Sequence, residues 1–147
     1  MPRRIPSLLF ALLLMANTAG PPELRATAVT DGATLLLEDG RSLRLAGIEP
    51  AAPPMGAEAG QNWPLAEAAD KALAELALGQ RLILRGEVKT DRHGRLMAQV
   101  VRGDGLWLQG ELLSRGLARV HTRPDARSLA REMLAAEAGA RAAERGI

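Results

Sequence analysis

The 147 residues include no cysteine, which excludes disulfides, thiolate zinc sites and cysteine nucleophiles. Aromatic rings are almost as scarce. There is no tyrosine, and the only Phe and Trp residues are Phe10, Trp63 and Trp107. A platform on which several bases stack in turn cannot be built from so few rings. No apolar run reaches the roughly 20 residues that a membrane-spanning helix needs. Repeats and low-complexity stretches are missing too, and the length fits one domain rather than a multi-domain enzyme. What is present is ordinary for a globular chain: 47% hydrophobic and 24% charged residues.

The longest apolar run, Leu8 to Ala16, follows Arg3 and Arg4. It precedes the small or polar residues Asn17 to Gly20 and the helix-breaking pair Pro21-Pro22. That order is the pattern of a secretory signal peptide. Residues 1–19 are therefore expected to be cleaved near Ala19, and the mature protein to be periplasmic or secreted, with no membrane span left after cleavage. A membrane anchor is the alternative, but the run is too short for it. With no cysteine after the run, a lipoprotein anchor is excluded. Setting aside Arg3 and Arg4 leaves 17 of the 19 basic residues against 17 acidic ones. Binding of nucleic acid relies on cations that displace counterions, so any face that does this must be local.

Residues 26–147 read as a single domain of short strands and a few helices. Ala26 to Thr30 and Thr34 to Glu38 are predicted strands around Asp31-Gly32. Asp39-Gly40 predicts a type I′ hairpin turn into a third strand, Arg41 to Gly47, with Leu43 and Leu45 on one side and Ser42, Arg44 and Ala46 on the other. Glu49 to Gly60 reads as a loop, and Pro64 opens a helix from Leu65 to about Leu78. Arg81 to Val88 and Leu96 to Arg102 are the fourth and fifth strands, around a polar turn at Lys89 to Gly94. Leu108 to Arg115 suits a short helix. Asp125 can cap a last one from Ala126 to about Glu144, with Leu129, Met133, Ala136 and Ala140 as its apolar stripe. The pattern predicts a mainly β, α+β fold: five strands in a partly open OB-like barrel with about three helices. A general α+β domain satisfies the same periodicity.

Three blocks carry a resemblance: VTDGATLLLEDGRSLRLAGIEP (Val29 to Pro50), DRHGRLMAQVV (Asp91 to Val101) and LLSRGLARV (Leu112 to Val120). In order and spacing they resemble the thermonuclease, or staphylococcal-nuclease-like, family over nearly the whole mature chain. The resemblance implies a five-stranded OB-fold barrel with helices, and calcium-dependent hydrolysis of DNA or RNA phosphodiester bonds. It also implies a site. The DGDT motif brings a metal-binding aspartate. The block R-L-x-G-I-D-x-P-E brings an arginine, a second metal aspartate and a general-base glutamate, and D-x-Y-G-R brings a second arginine.

Matched residue by residue, Arg44 and Arg95 take the places of the two arginines, whose planar forks suit phosphate oxygens. Glu49 replaces the second metal aspartate. Ala33 stands where the first should be and Ala52 where the general base should be. His93 replaces the tyrosine of D-x-Y-G-R, and His121 lies where the family carries rings near the nucleotide. The anion-holding half of the site is thus present, and the half that supplies metal and base is not. No strongly held cofactor is expected: calcium remains the one candidate, a weak one, with Glu49 as its matching carboxylate and the Pro50 carbonyl as a second oxygen. The residues also have plain structural uses. Arg44 and Arg95 can pair with Glu49 or Asp91, Asp31 can brace its turn, and His93 and His121 can line a rim.

The reading that fits is an exported, degenerate nuclease that retains an arginine site for nucleic acid or another phosphate-bearing anion. One alternative is an active nuclease with a rearranged site, using Glu49 and Glu58 with another metal. The other is a protein-interaction module of the cell envelope.

Overall fold

Leucines at alternate positions build the core. Leu35, Leu37, Leu43, Leu45 and Leu82 are all fully or almost fully buried, on one face of a curved sheet. The structure, a computed structural model, describes residues 23–122 and 129–147. The expected signal peptide and the expected cap at Asp125 lie outside the described residues.

The main sheet holds β1 (Ala26–Asp31), β2 (Thr34–Leu37), β3 (Ser42–Leu45), β5 (Leu82–Thr90) and β6 (Leu96–Arg102). Its order is β1-β2-β3-β6-β5, antiparallel except for the parallel β3–β6 pair. The sheet curls until its ends meet: the amide of Leu82 donates to the Leu24 carbonyl at 2.8 Å. This is the mixed α+β, OB-like arrangement that the sequence predicts.

A second, two-stranded sheet pairs β4 (Ile48–Pro50) with β7 (Ala118–Val120). The sequence reading runs the third strand to Gly47 and starts a loop at Glu49. In the structure a turn at Ala46-Gly47 divides that segment into β3 and β4. The turn at Asp39-Gly40 also differs from type I′. Only Gly40 has positive φ there; Gly40 N–H donates to the Leu37 carbonyl and Leu37 N–H to the Arg41 carbonyl. That is a type I turn closed by a left-handed glycine, the usual three-residue hairpin.

Helix α1 (Pro64–Ala77) turns Ala66, Ala69, Ala72, Leu73 and Leu76 inward. Small side chains let the chain approach closely. A Cβ on Gly32 would lie 2.7 Å from the Ala69 Cβ, so only glycine permits the β1–β2 turn to rest on this helix. Helix α2 (Leu108–Ser114) covers β6. Its Gln109, fully buried, accepts from the Val100 amide and donates to the carbonyls of Ala98 (2.9 Å) and Ala46 (3.3 Å). Helix α3 (Ala130–Ala142) follows Leu129, which is left-handed (φ 58); the predicted start at Ala126 lies outside the described residues. Its Met133 and Ala140 are buried, as the stripe predicts. Among the described residues no helix is long and apolar enough to cross a membrane.

Candidate functional site

With Leu43 and Leu45 turned to the core, pleating sends Arg44 to the opposite face of the sheet. Its side chain is only 14% exposed, and both terminal nitrogens are engaged. Nη1 donates to Asp31 Oδ1 at 3.3 Å and to Thr34 Oγ1 at 3.2 Å, while Nη2 donates to Glu49 Oε2 at 3.1 Å. Asp31 also braces its own turn, accepting the Ala33 amide at 2.9 Å and the Thr34 hydroxyl at 3.1 Å. Sequence reasoning gave Asp31 the turn alone; its contact with Arg44 depends on the β2–β3 register, which sets Thr34 opposite Arg44.

Arg95 stands at the end of the β5–β6 hairpin, on a turn built by Asp91. Asp91 Oδ1 accepts the amides of His93 (2.8 Å) and Arg95 (3.0 Å), and Oδ2 accepts Arg95 Nε at 2.7 Å. Burial pushes the Asp91 carboxyl up. The hydrogen bonds from Arg95 and His93 and the adjoining guanidinium charge outweigh it and bring its pKa down to about 2. The carboxylate therefore stays charged and fixes the stem of Arg95, whose terminal nitrogens make no hydrogen bond among the described residues.

Both arginines line one cavity of about 690 Å³, together with Glu49, His93 and His121. These residues come from three separate stretches of sequence. The β4–β7 pairing brings them in: β4 carries Glu49, and the His121 amide donates to the Gly47 carbonyl at 2.8 Å. Gly47 is needed there. It has φ +82, and a Cβ on it would lie 2.6 Å from the Met133 Cε.

Ala33 and Ala52 do not join this cavity. Ala33 is completely buried in the core. Ala52 is exposed in a second groove across β4, with Trp63, Leu65, Arg119 and, at the shared wall, Glu49. Glu58 is exposed on the loop and lines neither space. Asp70 on α1 senses the acids near the β1–β2 turn: burial raises its carboxyl pKa first, then the charges of Asp31 and Glu67.

Calcium takes 6–8 oxygen ligands, several of them carboxylates. Among the described residues no group of three or more His, Asp, Glu or Cys side chains is placed to hold a metal ion. Glu49 already faces the Arg44 guanidinium, and position 33 offers a buried methyl group. The donor set does not fit the ion.

The cavity also contains cations that the sequence reading did not nominate: Arg85, Lys89 and Arg92. Alternation along Arg81 to Val88 separates Arg85 from the core leucines, but only the register with β6 turns that side toward Arg44.

Residues 42–147 match the model of a family described as staphylococcal nuclease homologue. The matched span includes Arg44, Glu49, Ala52 and Arg95 and begins after Ala33. No curated protein matches the chain.

Proposed function

The chain belongs to the family of staphylococcal nuclease homologues, and on that premise we propose that it is an exported, degenerate member that binds phosphodiester anions without hydrolysing them. One observation carries this reading. Arg44 and Arg95 line a single cavity, while the positions that would supply a metal carboxylate and a general base are Ala33 and Ala52.

Two guanidinium groups can each offer paired N–H donors to phosphate oxygens. Binding an anion there requires the phosphate to compete with Glu49 for Arg44. That carboxylate is 58% exposed, so its ion pair is weak and screened. Hydrolysis demands more: charge stabilisation at the phosphoryl oxygens as water attacks, and a proton acceptor for that water. An alanine accepts no proton, and loss of a general base alone removes about 10²–10⁴ in rate. The apolar run behind Arg3 and Arg4 supports export, after which the domain would meet its ligand in the periplasm or the medium.

The test is a titration with a dye-labelled single-stranded oligonucleotide, with and without calcium, followed by anisotropy and by gel. The expected result is binding that weakens with salt, does not depend on calcium, and leaves the oligonucleotide intact. Arg44→Ala and Arg95→Ala should each weaken binding about tenfold or more, the scale of a lost charge-assisted contact. Calcium-dependent cleavage at catalytic protein concentrations would overturn the reading, as would the absence of binding.

A further inference from the structure

Strand register arranges the cavity's cations in steps. Arg44 on β3 lies opposite Met97, and Lys89 on β5 flanks Met97 from the other side. One step along, Arg85 lies opposite Gln99. One step the other way, Arg95 enters β6 on the same side as Met97 and Gln99, since alternate residues share a face. All six residues line the cavity. Cations therefore occur at three successive rungs, each about 6.6 Å from the next, because that is the advance of two residues along a strand.

A bulge preserves this alignment. Between the Arg85–Gln99 and Lys89–Met97 pairs, β6 has only Ala98, whereas β5 has Gly86, Glu87 and Val88. Because paired residues share a face, Arg85 opposite Gln99 and Lys89 opposite Met97 lie on one face, and the two surplus residues of β5 are taken up between them. Gly86, with φ +74, makes the detour without strain.

The rungs differ in how they are occupied. Glu49 faces Arg44, Asp91 faces Arg95, and Glu87 lies 3.6 Å from Lys89. The Arg85 side chain is exposed and makes no hydrogen bond or ion pair among the described residues. Its guanidinium faces no carboxylate, but it offers one fork where Arg44 and Arg95 together offer two, so a single phosphate goes to the pair and Arg85 adds only with length.

We propose that Arg85 is a phosphate-binding residue, the outer rung of a cationic ladder that holds successive phosphates of an extended single-stranded nucleic acid along β6. A sugar–phosphate repeat contains as many backbone bonds as two amino-acid residues, so the strand and the ladder advance at similar pitch. The scarcity of rings means that the backbone is gripped and the bases are not stacked. The inference rests on the anion site proposed above and adds to it a length and a direction.

The experiment is anisotropy with labelled thymidine oligonucleotides carrying one, two, three or five phosphates. Wild-type affinity should rise up to three phosphates and then flatten. Arg85→Ala should lose about tenfold on the three-phosphate ligand, and nothing on the one-phosphate ligand. Arg85→Lys should recover most of the loss. Arg115→Ala, which removes a charge just past the end of α2 and outside the cavity, should follow the wild type. Inorganic tripolyphosphate, whose phosphates lie closer together, should compete less well than the three-phosphate oligonucleotide. Length-dependent binding that ignores Arg85, an equal loss in Arg115→Ala, or equal competition by tripolyphosphate would overturn the ladder alone. No binding by the wild type at any length would overturn the anion site itself and the ladder with it.

Discussion

Asp91 orders a turn and a functional side chain with the same carboxylate: two amides on Oδ1, the Arg95 stem on Oδ2. Its pKa of about 2 lies below the ordinary 3.8, so the linkage has a definite sign. The group's contribution to stability is complete above its unfolded pKa, near 4, and is lost as pH falls toward 2. Asp104 has a similar value, held down first by its contact with Arg102, and would titrate in the same window. Comparison with Asp91→Asn isolates the first group. The variant should melt lower than the wild type by a constant margin from neutral pH down to about 4, and the margin should vanish near pH 2. Circular dichroism melts across that range check this; a margin that persists at pH 2 would contradict it.

Among the elements, α2 matters to the site through one side chain. Gln109 ties the β3–β4 turn, at Ala46, to the middle of β6, at Ala98 and Val100. It therefore holds the turn between β3, which carries Arg44, and β4, which carries Glu49. Gln109→Leu keeps the volume and strands the buried Val100 amide, while the Ala98 and Ala46 carbonyls keep the Ala46 amide and Gln99 Nε2 as donors; this should cost about 1–3 kcal/mol in urea unfolding. The parity of Leu43 and Leu45 and the proline start of α1 were legible in the sequence, because each depends on local chemistry. Arg44, Glu49, His93, Arg95 and His121, nominated from three separate stretches of sequence, line one cavity. β4 was not legible. Its three residues, one of them Pro50, have no periodicity to read and exist as a strand only because Ala118–Val120 pairs with them. Arg85 escaped for a related reason: its alternation was visible, but its neighbours were set by a register across a two-residue bulge.

For the whole molecule, near-balanced charge shapes what binding can look like. Downstream of Arg4, 17 basic residues meet 17 acidic ones, so long-range attraction of a polyanion is small and the grip is local. If three rungs each neutralise one phosphate, the logarithm of affinity should fall with the logarithm of salt at a slope of about −2, as expected for single strands. A slope several times steeper would mean that a broad charged surface, and not this cavity, does the binding. Isothermal or anisotropy titrations at a series of salt concentrations give the number directly.

The detour in β5 has one more effect. That strand is an outer member of the main sheet, and a flat outer strand invites another chain to zip onto it. Here Gly86 bends the hydrogen-bonding edge out of line while Glu87 and Lys89 bracket the exposed Val88. The same irregularity that lies between the Arg85 and Lys89 rungs also makes this strand a poorer template for edge-to-edge pairing with another copy.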